Sequence, residues 1–301
     1  MIAGLYLYAA RDLSAMYRWL GREAEAARID RSYDGMLNAV ETQAWDGGWY
    51  TRAFDAESRP VGSRRCAEGK LFIESQAWCI LGGAGRTNGR ARKAIAAVDR
   101  HLYRRGLGCA LQWPPYSTYH EELGEVSSYP PGYKENGGVF SHNNTWIHIA
   151  WTLMGEGEKA LDYYLSICPS AKPDHDVYRS EPYVFAQMTA SHFSPTPGEA
   201  KNSWLTGTAA WSFVVASQYL LGIRPDYDGL RIDPCIPRRW GGFTVVRKYR
   251  GVEYTIRVRN PRHRCTGVKS MMVDGRTVAG NVIPPPGVGA KAVAVDVVLG
   301  S

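Results

Sequence analysis

The stretch Gly222-Ile-Arg-Pro-Asp-Tyr-Asp-Gly229 divides the 301-residue chain into two kinds of sequence. Ahead of it, apolar residues recur every three or four positions, the spacing of helices with one buried face. That spacing predicts helices over roughly 2–20, 23–42, 70–81, 89–104, 143–154, 156–167, 181–193 and 207–221. Gly21, Gly82 and Gly155 stand where helices should stop, and Thr145 and Thr206 precede apolar runs as N-caps do. Helices paired as hairpins make a toroid or bundle. Beyond Gly229 the apolar runs shorten to Leu230–Ile232, Phe243–Tyr249, Val252–Val258, Gly267–Val273 and Ala292–Leu299. Tyr254-Thr-Ile-Arg-Val-Arg259 alternates with period two, and Asn260-Pro261 and Asp274-Gly275 supply turns, so this part reads as a small antiparallel β-sandwich. The expected class is mainly α plus β, with domains over 1–223 and 224–301.

The composition, 45% hydrophobic and 22% charged, is that of a folded globular protein. The ten Trp and eighteen Tyr suit sugar stacking as well as core packing. Net charge is +7, but no block of five or six like charges occurs, which argues against nucleic acid as a partner and leaves an anionic small molecule open. Cys66, Cys79, Cys109, Cys168, Cys235 and Cys265 form no Cys-x-x-Cys pair and no zinc pattern, so free thiols in a reducing cytoplasm are expected, with no metal. No run of eighteen apolar residues exists to span a membrane. The N-terminal apolar run lacks a basic flank and is closed early by Arg11 and Asp12, so it reads as a helix starting abruptly, as if cut from a longer chain.

Two segments carry the chemistry. Tyr129-Pro-Pro-Gly-Tyr-Lys-Glu-Asn-Gly-Gly-Val-Phe-Ser-His142 ends a long loop that also holds Glu125. Carboxylates there accept from sugar hydroxyls, Lys134 donates, Tyr129 offers a stacking face, and Asn136 adds a carboxamide. A solvated surface loop is the plainer reading, yet long charged loops between helices are commonly functional. Asn202-Ser-Trp-Leu-Thr-Gly-Thr-Ala-Ala-Trp211 places Thr206 and Gly207 just ahead of an apolar helix, where unpaired N–H groups favour an anion, although an ordinary cap has the same pattern. His142 adds a second donor to an anion, or simply bonds its own turn. Glu74, Gln76 and Trp78 are spaced to satisfy one another inside a helix, and Asp174-His175-Asp176 lacks a third ligand partner for a metal. No nucleophile elbow, phosphate loop or dinucleotide fingerprint is present.

The motifs Trp45-Asp-Gly-Gly-Trp-Tyr-Thr-Arg-Ala-Phe54, Tyr133-Lys-Glu-Asn-Gly-Gly-Val-Phe-Ser-His142, Glu181-Pro-Tyr-Val-Phe-Ala-Gln-Met188, Gly198–Trp211 and Ile223–Trp240 run through nearly the whole chain. In that order they resemble the disaccharide phosphorylases of glycoside hydrolase family 94, most closely those acting on cellobiose. The resemblance implies an inverting reaction of a β-linked disaccharide with inorganic phosphate, giving an α-sugar 1-phosphate and a free sugar, with no other cofactor. It implies the C-terminal half of an (α/α)6 barrel followed by a β-sandwich, in a parent that forms homodimers. His142, Gln187, Thr206 and Gly207 match phosphate contacts; Glu125, Tyr129, Lys134 and Glu135 match sugar contacts. The family's general-acid aspartate, in a Gly-Asp-Trp-Asn-Asp type motif, has no counterpart here, so this chain alone is expected to be inactive. Chitobiose, laminaribiose and cellobionic acid enzymes and cyclic β-glucan synthases share these motifs. An inverting hydrolase on a related barrel and a non-catalytic sugar-binding remnant remain alternatives.

Overall fold

The computed structural model describes residues 1–287 and 289–300 and mixes helix with sheet. Val288 and Ser301, inside the expected second domain, lie outside the described residues. The chain packs as two compact units, Met1–Ala150 with Asp162–Trp211, and Trp151–Leu161 with Ser212 onward.

The first unit opens with helices α1 (Ile2–Trp19), α2 (Glu23–Ala39), α3 (Ile73–Gly82) and α4 (Arg90–His101). α1 lies on both α2 and α3. It approaches α3 closely because Gly4 has no side chain: a Cβ there would come within 2.5 Å of the Trp78 carbonyl carbon. A π-helical turn, Val40–Ala44, prolongs α2. Short strand pairs join these helices: β1 (Ala53–Phe54) with β2 (Pro60–Val61), β3 (Leu71–Phe72) with β6 (Gln112–Trp113), and β4 (Tyr103–Arg104) with β5 (Gly108–Cys109). α3 ends on Gly83 at φ 107°, one residue past the glycine expected to stop it.

The expectation that Glu74, Gln76 and Trp78 satisfy one another is corrected. Gln76 instead accepts from Tyr50 N–H at 2.9 Å and donates to the carbonyls of Tyr50 and Phe72. Trp78 packs on Trp146, ring centroids 5.1 Å apart.

The remaining helices are α5 (Ser141–Leu153), α6 (Gly157–Ile167), the single turn α7 (His175–Tyr178) and α8 (Thr208–Val214), which continues as a π-helix to Leu220. Thr145 is therefore inside α5, not its cap, and its hydroxyl donates to the His142 carbonyl at 2.5 Å. The helix expected over 181–193 does not form. Strands β7 (Val139–Phe140), β8 (Ala186–Thr189) and β9 (Ala200–Ser203) make an antiparallel three-stranded sheet, with Phe140 opposite Met188 and Ala186 opposite Ser203. The apolar run Tyr183–Met188 is ambiguous between periods, and its pairing with β7 and β9 decides for strand.

In the second unit, β10 (Ile223–Asp226), β11 (Gly229–Ile232) and β16 (Val282–Ile283) form one sheet; β12 (Gly242–Tyr249), β13 (Val252–Arg259), β17 (Ala292–Leu299), β14 (Val268–Val273) and β15 (Arg276–Val278) form another in that order. Val252, Tyr254, Ile256 and Val258 point inward from β13 while Arg257 and Arg259 point out, as period two requires. Ile223, Leu230, Ile232 and Ile283 of the first sheet share one apolar cluster with Ile256, Val295 and Val297 of the second. The sheet is not wholly antiparallel as expected: β17 pairs with β13 in parallel and with β14 antiparallel. Parallel neighbours need a long crossover, here the residues carrying β14 to β16. Among the described residues no helix is long and apolar enough to cross a membrane.

Candidate functional site

The loop that carries Glu125, Tyr129, Lys134 and Glu135 is built around Asn136, which is fully buried. Its Oδ1 accepts from Gln112 Nε2 (3.1 Å) and the Tyr116 N–H (2.8 Å); its Nδ2 donates to the carbonyls of Tyr116 (2.9 Å) and Tyr129 (2.7 Å). All four bonding positions of the carboxamide are used. Asn136 therefore holds the loop and does not face a ligand, which corrects its place among the sequence candidates. Gly132, at φ 85°, lets the loop lie against residues 191–194, where a Cβ would come 2.5 Å from the Ser194 nitrogen. The Ser191 N–H donates to the Gly132 carbonyl at 3.0 Å, and the hydroxyls of Tyr133 and Thr196 meet at 2.5 Å.

On this frame Lys134 takes φ 46° and its Nζ donates to Gln187 Oε1 at 2.9 Å. Asn202 Nδ2 on β9 donates to the same oxygen, also at 2.9 Å. With its oxygen engaged twice, Gln187 keeps its NH2 group as a two-proton donor suited to an anion. The carboxylates of Glu125 and Glu135 lie near enough to Tyr129 to push its phenol above the ordinary tyrosine range. Glu135 Oε2 is buried with no protein partner.

His142 stands in the first turn of α5, half-buried, with its ring edge-on to Phe140 (5.9 Å) and Trp146 (5.5 Å). Burial pushes its pKa below the ordinary histidine value, so the ring is neutral near pH 7. Trp146 lies 6.2 Å from Trp211, whose backbone N–H donates to the Gly207 carbonyl at 3.3 Å. His142 and the Thr206-Gly207 turn thus flank one aromatic cluster, although no hydrogen bond joins them among the described residues. Thr206 Oγ1 accepts from the Thr208 N–H at 3.2 Å and lies 2.6 Å from the Thr208 hydroxyl, the cap the sequence predicts. No atom lies within 4 Å of where a Gly207 Cβ would stand, so that backbone is open to approach.

Three more polar atoms close to this loop and helix start are buried without a protein partner: Asn143 Oδ1, Trp146 Nε1 and His192 Nε2. Each buried orphan costs about 1–3 kcal/mol unless something meets it. Asn143 and Trp146 share the start of α5 with His142, and a polar small molecule is one kind of partner such atoms accept. Trp146 and Asn202 were missed by sequence reasoning; the hint lay in their position inside or beside the quoted segments. Asp174, by contrast, is a cap: its side chain accepts from the Val177 N–H at 3.0 Å. Among the described residues no group of three His, Cys, Asp or Glu is placed to hold a metal.

The family model described as the glycosyl hydrolase 94 superfamily, catalytic domain, matches residues 1–222. This chain belongs to that family. It is 35% identical over 287 residues to an N,N'-diacetylchitobiose phosphorylase of Vibrio proteolyticus, covering 94% of this chain and 36% of the relative. A solabiose phosphorylase of Paenibacillus borealis is also 35% identical, over 90% of this chain and 36% of its own length. A cellobionic acid phosphorylase of Neurospora crassa is 26% identical over 78% of this chain and 30% of its own. The chain thus spans about a third of the length of the curated relatives it matches. Among solved structures, one titled Sialidase superposes with a TM-score of 0.62 at 14% identity, covering 98% of this chain and 26% of that one, a likeness of fold alone.

Proposed function

We propose that this chain is the part of an inverting disaccharide phosphorylase that holds phosphate and the leaving sugar. The observation that carries the reading is the Lys134–Gln187–Asn202 chain of hydrogen bonds, which engages the Gln187 oxygen twice and leaves its NH2 group to donate. Gln187, His142, Thr206 and Gly207 bind phosphate; Glu125, Tyr129, Lys134 and Glu135 bind the sugar. A phosphate oxygen attacks the anomeric carbon, the glycosidic C–O bond breaks, and an aspartic acid from outside these 301 residues protonates the departing oxygen. Phosphate is itself the nucleophile, so no second carboxylate is needed to activate water. The protein's task is to hold the anion and offset its charge.

In the same reading residues 1–223 are half of an (α/α)6 barrel and 224–301 a β-sandwich, within a cytoplasmic, homodimeric parent. Two of the matched relatives act, by their names, on diacetylchitobiose, so that disaccharide is the alternative substrate. Tyr129 favours cellobiose, because a phenol ring at the leaving-sugar subsite packs on bare glucose and crowds an N-acetyl group. The test is a chimaera in which this chain replaces the matching third of the Vibrio proteolyticus relative. Sugar 1-phosphate release should fall at least tenfold with Gln187→Ala, and Tyr129→Val should shift kcat/KM toward diacetylchitobiose. An active chimaera indifferent to Gln187→Ala refutes the phosphate assignment.

A further inference from the structure

Trp204 is 68% exposed and adopts φ 68°, a left-handed conformation that a bulky side chain rarely takes. Asn202, two residues earlier, is also left-handed at φ 55°. Nothing apolar covers the indole, yet it is not loose. Its Nε1–H donates to Glu181 Oε1 at 3.1 Å, and the other oxygen of that carboxylate accepts from Ser180 Oγ at 3.1 Å. The Trp204 carbonyl accepts from the Thr206 N–H at 2.9 Å, which ties the backbone of Trp204 into the turn assigned to phosphate. Leu205 and Tyr183 are also exposed, at 66% and 76%. Strained residues persist where the surroundings hold them, and such sites concentrate at ligand-contacting positions.

We propose that Trp204 is a stacking platform for a pyranose ring of a gluco-configured glycan, seated beside the Gln187–Asn202 pair. This rests on the phosphorylase reading above and extends it by one contact. A gluco-configured pyranose has an apolar C–H face and a rim of equatorial hydroxyls. The fixed indole takes the face, and Glu181 at its edge accepts from the rim. An apolar polypeptide would leave Glu181 facing a hydrophobic partner, a costly pairing. The combination of an open aromatic face with a carboxylate clamped at its edge therefore selects a sugar.

The test is a nitrogen–proton NMR titration of the 301-residue chain with cellobiose, then with glucose 1-phosphate, following the indole N–H signals. Trp204→Phe assigns the Trp204 signal. That signal should shift saturably with sugar, Trp204→Phe should bind within about threefold of the parent, and Trp204→Ala should bind about tenfold more weakly. Should the Lys134 and Gln187 side-chain signals move while Trp204 stays still, the platform is wrong and the phosphorylase site stands. A shift at Trp204 with Lys134 and Gln187 unmoved supports the platform and removes the site reading. No shift anywhere overturns both. A Trp204 signal that moves with protein concentration and not with sugar assigns the indole to a second copy of the chain and overturns the platform.

Discussion

The side chain of Asn136 meets the backbone of Tyr116 twice, accepting from its N–H at 2.8 Å and donating to its carbonyl at 2.9 Å. The amide thus stands in for a neighbouring β-strand and fastens the sugar-type loop to the segment after β6. Asn136→Ala leaves the Tyr116 and Tyr129 backbone groups and Gln112 without these partners in a buried place. The variant should lose at least ~3 kcal/mol in urea unfolding. An unchanged midpoint with an unchanged slope contradicts this role.

His148 is wholly buried and neither ring nitrogen has a partner, and burial pushes its pKa down to about 3. Its neighbours are the edges of Tyr163 and Tyr164. The unfolded chain takes up a proton at this histidine near pH 6.5, and the folded chain does not until about pH 3. Stability should therefore fall as pH drops from about 6.5 toward 3. His148→Phe removes both the orphan nitrogens and this linkage. It should stabilise the chain by ~1 kcal/mol at pH 7.5 and by more at pH 5; a gain that is smaller at pH 5 goes against the argument.

His142 is kept neutral by burial, and an arriving phosphate dianion favours its protonated form. Phosphate binding near pH 7.5 should therefore draw a proton from solution. Calorimetry in buffers of different ionisation enthalpy reads this as a slope of about one proton or less, and His142→Gln should flatten it. An equal slope in the variant places the proton elsewhere.

Gly4 allows α1 to lie directly on the backbone of α3 at Trp78. Gly4→Ala must push the helices apart, because the clash is with backbone atoms that no rotamer change relieves. The cost should be ~1–3 kcal/mol, seen as a lowered Tm, whereas Gly35→Ala on α2, with no atom within 4 Å of its Cβ position, should be neutral or slightly stabilising. Equal melting of the two variants would sink the account.

What the sequence made legible was periodic and local. The apolar run Val252–Val258 and the alternation from Tyr254 to Arg259 predict β13 almost to the residue, because each inward side chain enters the apolar cluster and each outward arginine stays wet. The Thr206 cap and the apolar run behind it predict α8 for the same kind of reason. Gln187 is different: the run that holds it has helix spacing but forms strand β8, and only resemblance to a family singles out the residue. Four residues of strand between turns carry too few positions to show a period, and the partners that define β8 lie about 15 and 48 positions away in sequence. The left-handed backbone of Asn202 and Trp204 and the inward turn of Asn136 are also beyond a local reading, since each is imposed by distant groups.

The five-stranded sheet has its last-made strand in the middle: β17 lies between β13 and β14. On a ribosome the chain emerges in order, so β12 with β13 and β14 with β15 can each pair as ribbons long before Ala292–Leu299 appears. Until then two apolar edges face each other with nothing between them, and the cluster around Val295 and Val297 is empty. Sheet closure thus waits for Ala292–Leu299, and a nascent chain stalled before residue 292 offers both edges to chaperones or to a neighbouring polysome chain.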